Sequence, residues 1–279
     1  MSKEVVFIKY LLILVLLLIT GCTIGNPNVI TVDTIKNRGY LRVGVKEDVP
    51  GFGYFNRETN QYEGLEIDIA KLIAYEIFGD YERIEFIPVT TSTRGPILDS
   101  YEIDLVIATF TITEERRQNF NFSPVYYTDY VGIMVKRDSG ISTFKDLGGK
   151  SVGVVQLAPT KDVLQTVITE TGIKVTLMEF ASAPEVKAAL DSGYVDAFSI
   201  GCSILNGYLD DTTEILAEKY SPQPLGAATK LNNKSLAKYI NGLIEKWLKD
   251  GTIMNLMDKN YLSVIEYSRP INEDVDKNV

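Results

Sequence analysis

The sequence predicts an α/β protein of two lobes with a cleft between them, on three observations. Short apolar runs alternate with amphipathic helical stretches along the chain. The pair Arg42-Val43-Gly44-Val45 and Ile103-Asp104-Leu105-Val106 is echoed by Ser151-Val152-Gly153-Val154 and Val195-Asp196-Ala197-Phe198. In each pair a first strand precedes a later strand entered through an Asp, as two similar lobes would give. Finally, Asp138-Ser139-Gly140 on to Gly148-Gly149, and Ser221-Pro222-Gln223-Pro224, are turn-rich stretches suited to an outward and a return crossing. Two crossings make a hinge, and the cleft between hinged lobes is a favoured ligand site.

Taken in chain order, residues 1–22 read as a targeting leader. Lys3 and Lys9 accompany a leucine-rich run at 10–20, shorter than the roughly 20 apolar residues of a spanning helix. The run ends Ile19-Thr20-Gly21-Cys22, which looks like a lipobox. Cys22 is therefore expected to carry acyl chains that hold the protein on a membrane. Residues 23–35, with Gly25 and Pro27, read as a tether. The first lobe is expected at 36–134 plus 225–265, the second at 135–224, and a charged, flexible tail at 266–279. Strands are predicted at 41–45, 84–89, 105–108, 131–135, 152–155, 175–180 and 197–200. Ile67, Ala70, Ile73, Ala74 and Ile77 form a helical stripe; Val163, Val167 and Ile168 suggest a second, and 236–248 a third.

Composition narrows the function. There are two cysteines; with Cys22 lipidated, Cys202 has no partner and no disulfide is expected. A body of about 250 residues buries a sizeable core without one. The net charge is −9, and without the leader, which carries Lys3, Lys9 and Glu4, it is −10. Such a polyanion is a poor nucleic-acid partner. The chain has no His, which removes His-based triads and the commonest metal ligand. No clustered Cys or carboxylate set replaces it, so neither metal nor cofactor is expected and an enzyme is disfavoured.

The densest signal is IDLVIATFTITEERRQNFNFSPVYY, from Ile103 to Tyr127. An apolar strand breaks into Thr109, Thr111 and Thr113, and a short charged helix carrying Arg116 follows. Thr111 and Glu114 have capping-box spacing, which predicts a helix starting at Thr111. Outward N–H groups beside a guanidinium describe a seat for a small carboxylate.

That segment, the block Leu41-Arg42-Val43-Gly44-Val45 through Val49-Pro50-Gly51-Phe52 to Gly64-Leu65-Glu66-Ile67-Asp68, and the blocks Val152-Gly153-Val154-Val155-Gln156 and Val195-Asp196-Ala197-Phe198-Ser199 stand in one order. Together, over about 41–261, they resemble the extracytoplasmic solute-binding proteins of polar amino-acid ABC transporters, nearest the aspartate, glutamate and glutamine binders. The resemblance implies a two-lobed, periplasmic-binding-protein-like (type II) fold and a small amino-acid-like ligand. It implies an ABC permease as partner, and a lipid-anchored, extracytoplasmic monomer at the cell membrane.

It also implies site residues. Arg116 would take the ligand's α-carboxylate, with Thr111 and the backbone of Ala108 and Thr109 completing the seat. Lys46 and Arg94 would add cations suited to an acidic amino acid, Phe52 would wall the cleft, and Thr160 would offer a hydroxyl from the second lobe. That lobe departs from the family pattern. Gly201 stands where an Asp usually pairs the ligand's α-ammonium, Cys202 where a basic residue is common, Ala183 where a Tyr is common, and Pro159 has no N–H to give. An unpaired buried ammonium costs about 3–5 kcal/mol, a hundredfold or more in affinity. Three accounts stay open: another acid (Asp48, Asp129 or Glu179) takes the ammonium; the ligand lacks one or is larger; or the protein binds weakly and serves as a sensor or adhesin. A dehydratase-like enzyme on the same fold is a further rival, with Glu47, Asp48 and Glu179 as its available acids.

Overall fold

In the computed structural model residues 29–262 are described. The leader with Cys22, the first part of the tether and the 266–279 tail lie outside them. Helix α1 (Val32–Arg38) begins inside the stretch expected as tether, because Thr31 and Thr34 form a reciprocal cap at its start.

The first lobe is built on a five-stranded sheet in the order β5-β1-β6-β14-β7. These strands are β1 (Leu41–Val45), β5 (Ile84–Pro88), β6 (Leu105–Ile107), β7 (Phe120–Phe122) and β14 (Ala228–Lys230). β1 runs parallel to both β5 and β6, while β14 is antiparallel to β6 and β7. Helix α2 (Leu65–Phe78) covers one face and α3 (Arg94–Asp99) the other. Leu105 and Ile107 join the cluster under α2, and Val106 and Ala108 the cluster under α3. Burial on both faces is why this strand reads as an unbroken apolar run. A small antiparallel sheet of β2 (Asp48–Val49), β3 (Gly53–Asn56) and β4 (Gln61–Glu63) leads into α2. Gly64 makes that approach possible: its φ is +125°, and a Cβ there would lie 2.2 Å from the Phe52 carbonyl oxygen.

The second lobe repeats the plan in the order β10-β9-β11-β8-β12, with β13 also on β8. Its strands are β8 (Tyr127–Lys136), β9 (Ser151–Val155), β10 (Thr176–Phe180), β11 (Ala197–Gly201), β12 (Thr213–Ile215) and β13 (Tyr220–Leu225). β9 is parallel to β10 and β11, as β1 is to β5 and β6. Helices α5 (Thr160–Thr171) and α6 (Ala183–Ser192) cover opposite faces.

The sequence echo has a mechanical basis. The Asp104 carboxylate accepts from the Arg42 N–H at 2.8 Å and from the guanidiniums of Arg38 and Arg42. The Asp196 carboxylate accepts from the Ser151 N–H at 2.8 Å. Each Asp thus ties the start of its lobe's first strand to the strand it introduces.

The outward crossing lies earlier than position 135. All of β8 belongs to the second sheet, since Val131 to Val135 pair with Gly201 to Ala197 on β11. The 138–150 stretch is interior to that lobe and holds a 3-10 turn at Phe144–Leu147. The crossing strands lie side by side at the hinge: Ser123 N–H donates to the Ala227 carbonyl at 2.8 Å, and Tyr126 N–H to that of Leu225 at 3.1 Å. The chain returns to the first lobe through β14 and ends in α8 (Lys234–Lys249) and α9 (Thr252–Lys259). Among the described residues, no helix is long and apolar enough to cross a membrane.

Candidate functional site

The lobes meet in a closed arrangement. The Tyr208 hydroxyl of the second lobe donates to the Asp48 carbonyl of the first. Arg116 Nη2 donates 2.9 Å to the Leu157 carbonyl across the opening. Between them lies a cavity of about 50 Å³, room for a few waters. Thr91, Arg94, Thr109 and Thr111 line it from the first lobe, and Asp129, Pro159, Thr160, Gly201 and Gln223 from the second or the hinge. A vestibule of about 650 Å³ adjoins it, sharing Thr91, Arg94, Ala158 and Pro159 and lined further out by Arg116 and Glu179.

The Thr-rich segment is held by the hinge rather than by a helix start. Thr111 pairs with Leu225, and the Ile112 N–H donates 2.7 Å to the Pro224 carbonyl. The chain therefore stays extended as far as Thr113, whose side chain caps α4 (Glu114–Arg117) by accepting from the Arg116 N–H at 3.2 Å. The expected cap at Thr111 is corrected to Thr113, and Thr111 is left facing the cavity.

Behind Thr111, two buried charges fix the strand exit. Thr109 has a φ of +45°, strained for a β-branched residue. Glu66 Oε1 accepts from the Thr109 N–H at 2.6 Å. Arg94 Nη1 donates to the carbonyls of Ala108 and Thr109 at 2.7 and 3.1 Å. These bonds occupy the Thr109 N–H and the carbonyls of Ala108 and Thr109, so this backbone positions Arg94 at the cavity. Burial, chiefly, and then the like charge of Arg116 pull the Arg94 guanidinium down to about 9. Its Nε is buried without a partner. Glu66 is pushed up to about 7 by burial, against the Tyr126 and Thr109 hydrogen bonds and the charges of Arg94 and Lys46.

Other expected residues fall elsewhere. Arg116 stands outside the inner cavity: Nη1 donates 2.7 Å to the Thr111 carbonyl, and its guanidinium shares the Phe110 ring with Arg94, at 4.9 and 4.2 Å. Lys46 pairs with Asp48 at 2.9 Å and lines a separate pocket with Tyr54, Pro88 and Tyr208. Three cations therefore do not converge on one ligand space. Phe52 is fully buried in the first-lobe core, edge-on to Tyr127 at 5.2 Å, and is not a cleft wall. Of the acids considered for an ammonium, Asp48 pairs with Lys46 and Glu179 with Lys161 at 2.6 Å; Asp129 alone of the three lines the inner cavity.

Asp129 is 2 % exposed. Its Oδ1 accepts from the N–H groups of Tyr130 at 2.8 Å and Ser203, in α7 (Cys202–Asn206), at 3.1 Å, while Oδ2 has no partner. Burial pushes the carboxyl up to about 6, against these hydrogen bonds. A Cβ on Gly201 would lie 2.1 Å from Oδ2, so the carboxylate fills the space a side chain at 201 would take. Among the described residues, no His, Cys, Asp or Glu cluster suited to a metal occurs.

Residues 41–263 match the model of the bacterial extracellular solute-binding proteins, family 3. The chain belongs to this family. Among its relatives, the glutamine-binding protein of Geobacillus stearothermophilus is 38% identical over 210 residues, covering 75% of this chain and 79% of that protein. The ABC transporter glutamine-binding protein GlnH of Bacillus subtilis is 35% identical over 223 residues, covering 79% and 81%. The solute receptor for L-cysteine of Neisseria gonorrhoeae superposes with a TM-score of 0.76 at 25% identity, over 84% of this chain and 95% of that one. This family 3 fold is the two-lobed type II arrangement described above, with the candidate site at its lobe junction.

Proposed function

We propose that the protein is the solute-binding component of an amino-acid ABC importer, and that it captures a ligand of the glutamine, glutamate or aspartate class in the interlobe cavity. The observation that carries this is the convergence of Arg94, Thr111 and Thr160 from both lobes on one small cavity at the lobe junction. An arginine with a free buried donor and two hydroxyls is a carboxylate site. The inner cavity takes the main-chain end of the ligand, and the side chain extends past Arg94 toward Arg116 in the vestibule. The space is too small for a whole amino acid, so loading requires the lobes to part and reclose. Closure then favours the ligand only through contacts made in the closed form. A reclosed monomer, anchored through acyl chains on Cys22 at the outer face of the membrane, would dock on its permease.

Two relatives carry glutamine-binding names, so glutamine is the first ligand to test. Calorimetric titration with the proteinogenic amino acids tests the reading: saturable binding of glutamine, glutamate or aspartate is expected. Absence of binding across the set would remove it. Radiolabel from palmitate on the wild-type chain, lost in Cys22→Ala, tests the anchor.

A further inference from the structure

We propose that the carboxylate of Asp129 is the seat of the ligand's α-ammonium, and so the residue that makes this cleft select α-amino acids over simple carboxylic acids. The assignment rests on the amino-acid reading of the cleft and adds a residue and a charge to it.

Three observations carry it. First, the carboxylate is buried and lines the inner cavity. Oδ1 is used by two backbone N–H groups and Oδ2 by none. A buried carboxylate oxygen without a partner is costly unless a cation or donor arrives. Among the described residues no lysine or arginine pairs with it, so none of them supplies that cation. Second, the same cavity is lined from the other lobe by Arg94, whose Nε also lacks a partner. An anion on one wall and a cation on the other complement a zwitterion, whose two charges are a fixed short distance apart. Third, the position is made for this side chain. Gly201, on the neighbouring strand, leaves the space Oδ2 occupies, and any Cβ there would collide with it. Holding the start of α7 explains Oδ1 only, since an Asn carbonyl would accept from Ser203 equally well. The negative charge and the orphan Oδ2 need a different cause. Burial also raises the carboxyl's proton affinity, as for a site whose partner ion is still to come.

Asp129→Asn keeps the shape and the Oδ1 acceptor and removes the charge, so it separates the two roles. The purified protein is titrated calorimetrically with L-glutamine, L-glutamate and L-aspartate and with the analogues lacking the amino group: glutaramate, glutarate and succinate. Wild type is expected to prefer each amino acid over its analogue by about a hundredfold or more. Asp129→Asn should lose that preference while its affinity for the analogues is unchanged or higher. In Asp129→Ser combined with Gly201→Asp, which moves the carboxylate to the neighbouring strand, the preference should return in part. Retention of the full amino-acid preference by Asp129→Asn would overturn the assignment and leave the amino-acid reading intact. Failure of wild type to bind any of the three amino acids would overturn both.

Discussion

Asp129 and Gly201 compete for one space. The Oδ2 atom of Asp129 lies 2.1 Å from where a Cβ on Gly201 would stand, so a side chain is allowed at one position or the other. The backbone at Gly201 has φ −55°, which any residue can adopt, so the exclusion comes from the facing carboxylate alone. Gly201→Ala should therefore cost about 1–3 kcal/mol of stability by overpacking. In an Asp129→Gly background the same substitution should cost much less. Urea unfolding of the two single variants and the double variant measures the coupling; additive effects would contradict the contact.

The buried carboxylates predict a pH dependence of the ligand-free protein. Asp129 is raised from 3.8 to about 6 and Glu66 from 4.5 to about 7, both by burial. The folded state then binds protons more tightly than the unfolded state, so these groups lower stability as pH rises through those windows. Asp129→Asn should be more stable than wild type at pH 7.5, by up to about 3 kcal/mol, with the difference fading below pH 4. Denaturant unfolding at several pH values checks the sign.

Arg116 joins the lobes. Its guanidinium donates to the Thr111 carbonyl in the first lobe and to the Leu157 carbonyl in the second. Arg116→Met should weaken the closed form and lower ligand affinity about tenfold, from loss of roughly 1.5 kcal/mol in charge-assisted bonding. Small-angle scattering of the ligand-free variant should give a larger radius of gyration than wild type.

Arg94 is structural and cavity-facing at once. Arg94→Met strands the carbonyls of Ala108 and Thr109 and removes a cation near Glu66. A loss of about 3–5 kcal/mol in stability is expected, as for other broken buried charge networks. Arg94→Lys should recover part of the stability and little of the binding, because one ammonium cannot reproduce a fixed fork of donors. Unfolding and titration on the same samples separate the two effects.

Most of the fold was legible in the sequence because it rests on local periodicity. The apolar-rich runs at Leu41, Leu105 and Ala197 begin central strands, and the Asp104 and Asp196 echo marks matched joints in the two sheets. The site was less legible because its decisive contacts join distant segments. Thr111 looked like a cap, but pairing with Leu225, more than a hundred positions away, keeps it extended. Lys46 follows a central strand yet is neutralised by Asp48 and faces another pocket. Phe52 lies in a block that matched the family and turns inward to the core. Asp129 was one acid among three in the sequence; only burial and an unpartnered oxygen set it apart. Glu66, whose carboxylate accepts from the Thr109 N–H, stands next to the helical stripe in a block that matched the family and gives no signal of its own.

The most direct test is a crystal structure of the protein with the tightest-binding amino acid from the titration series. The ligand is expected between the lobes, its carboxylate on Arg94 and Thr111 and its ammonium within hydrogen-bond distance of Asp129 Oδ2. A ligand confined to the vestibule beside Arg116, with Asp129 still unpartnered, would contradict the account.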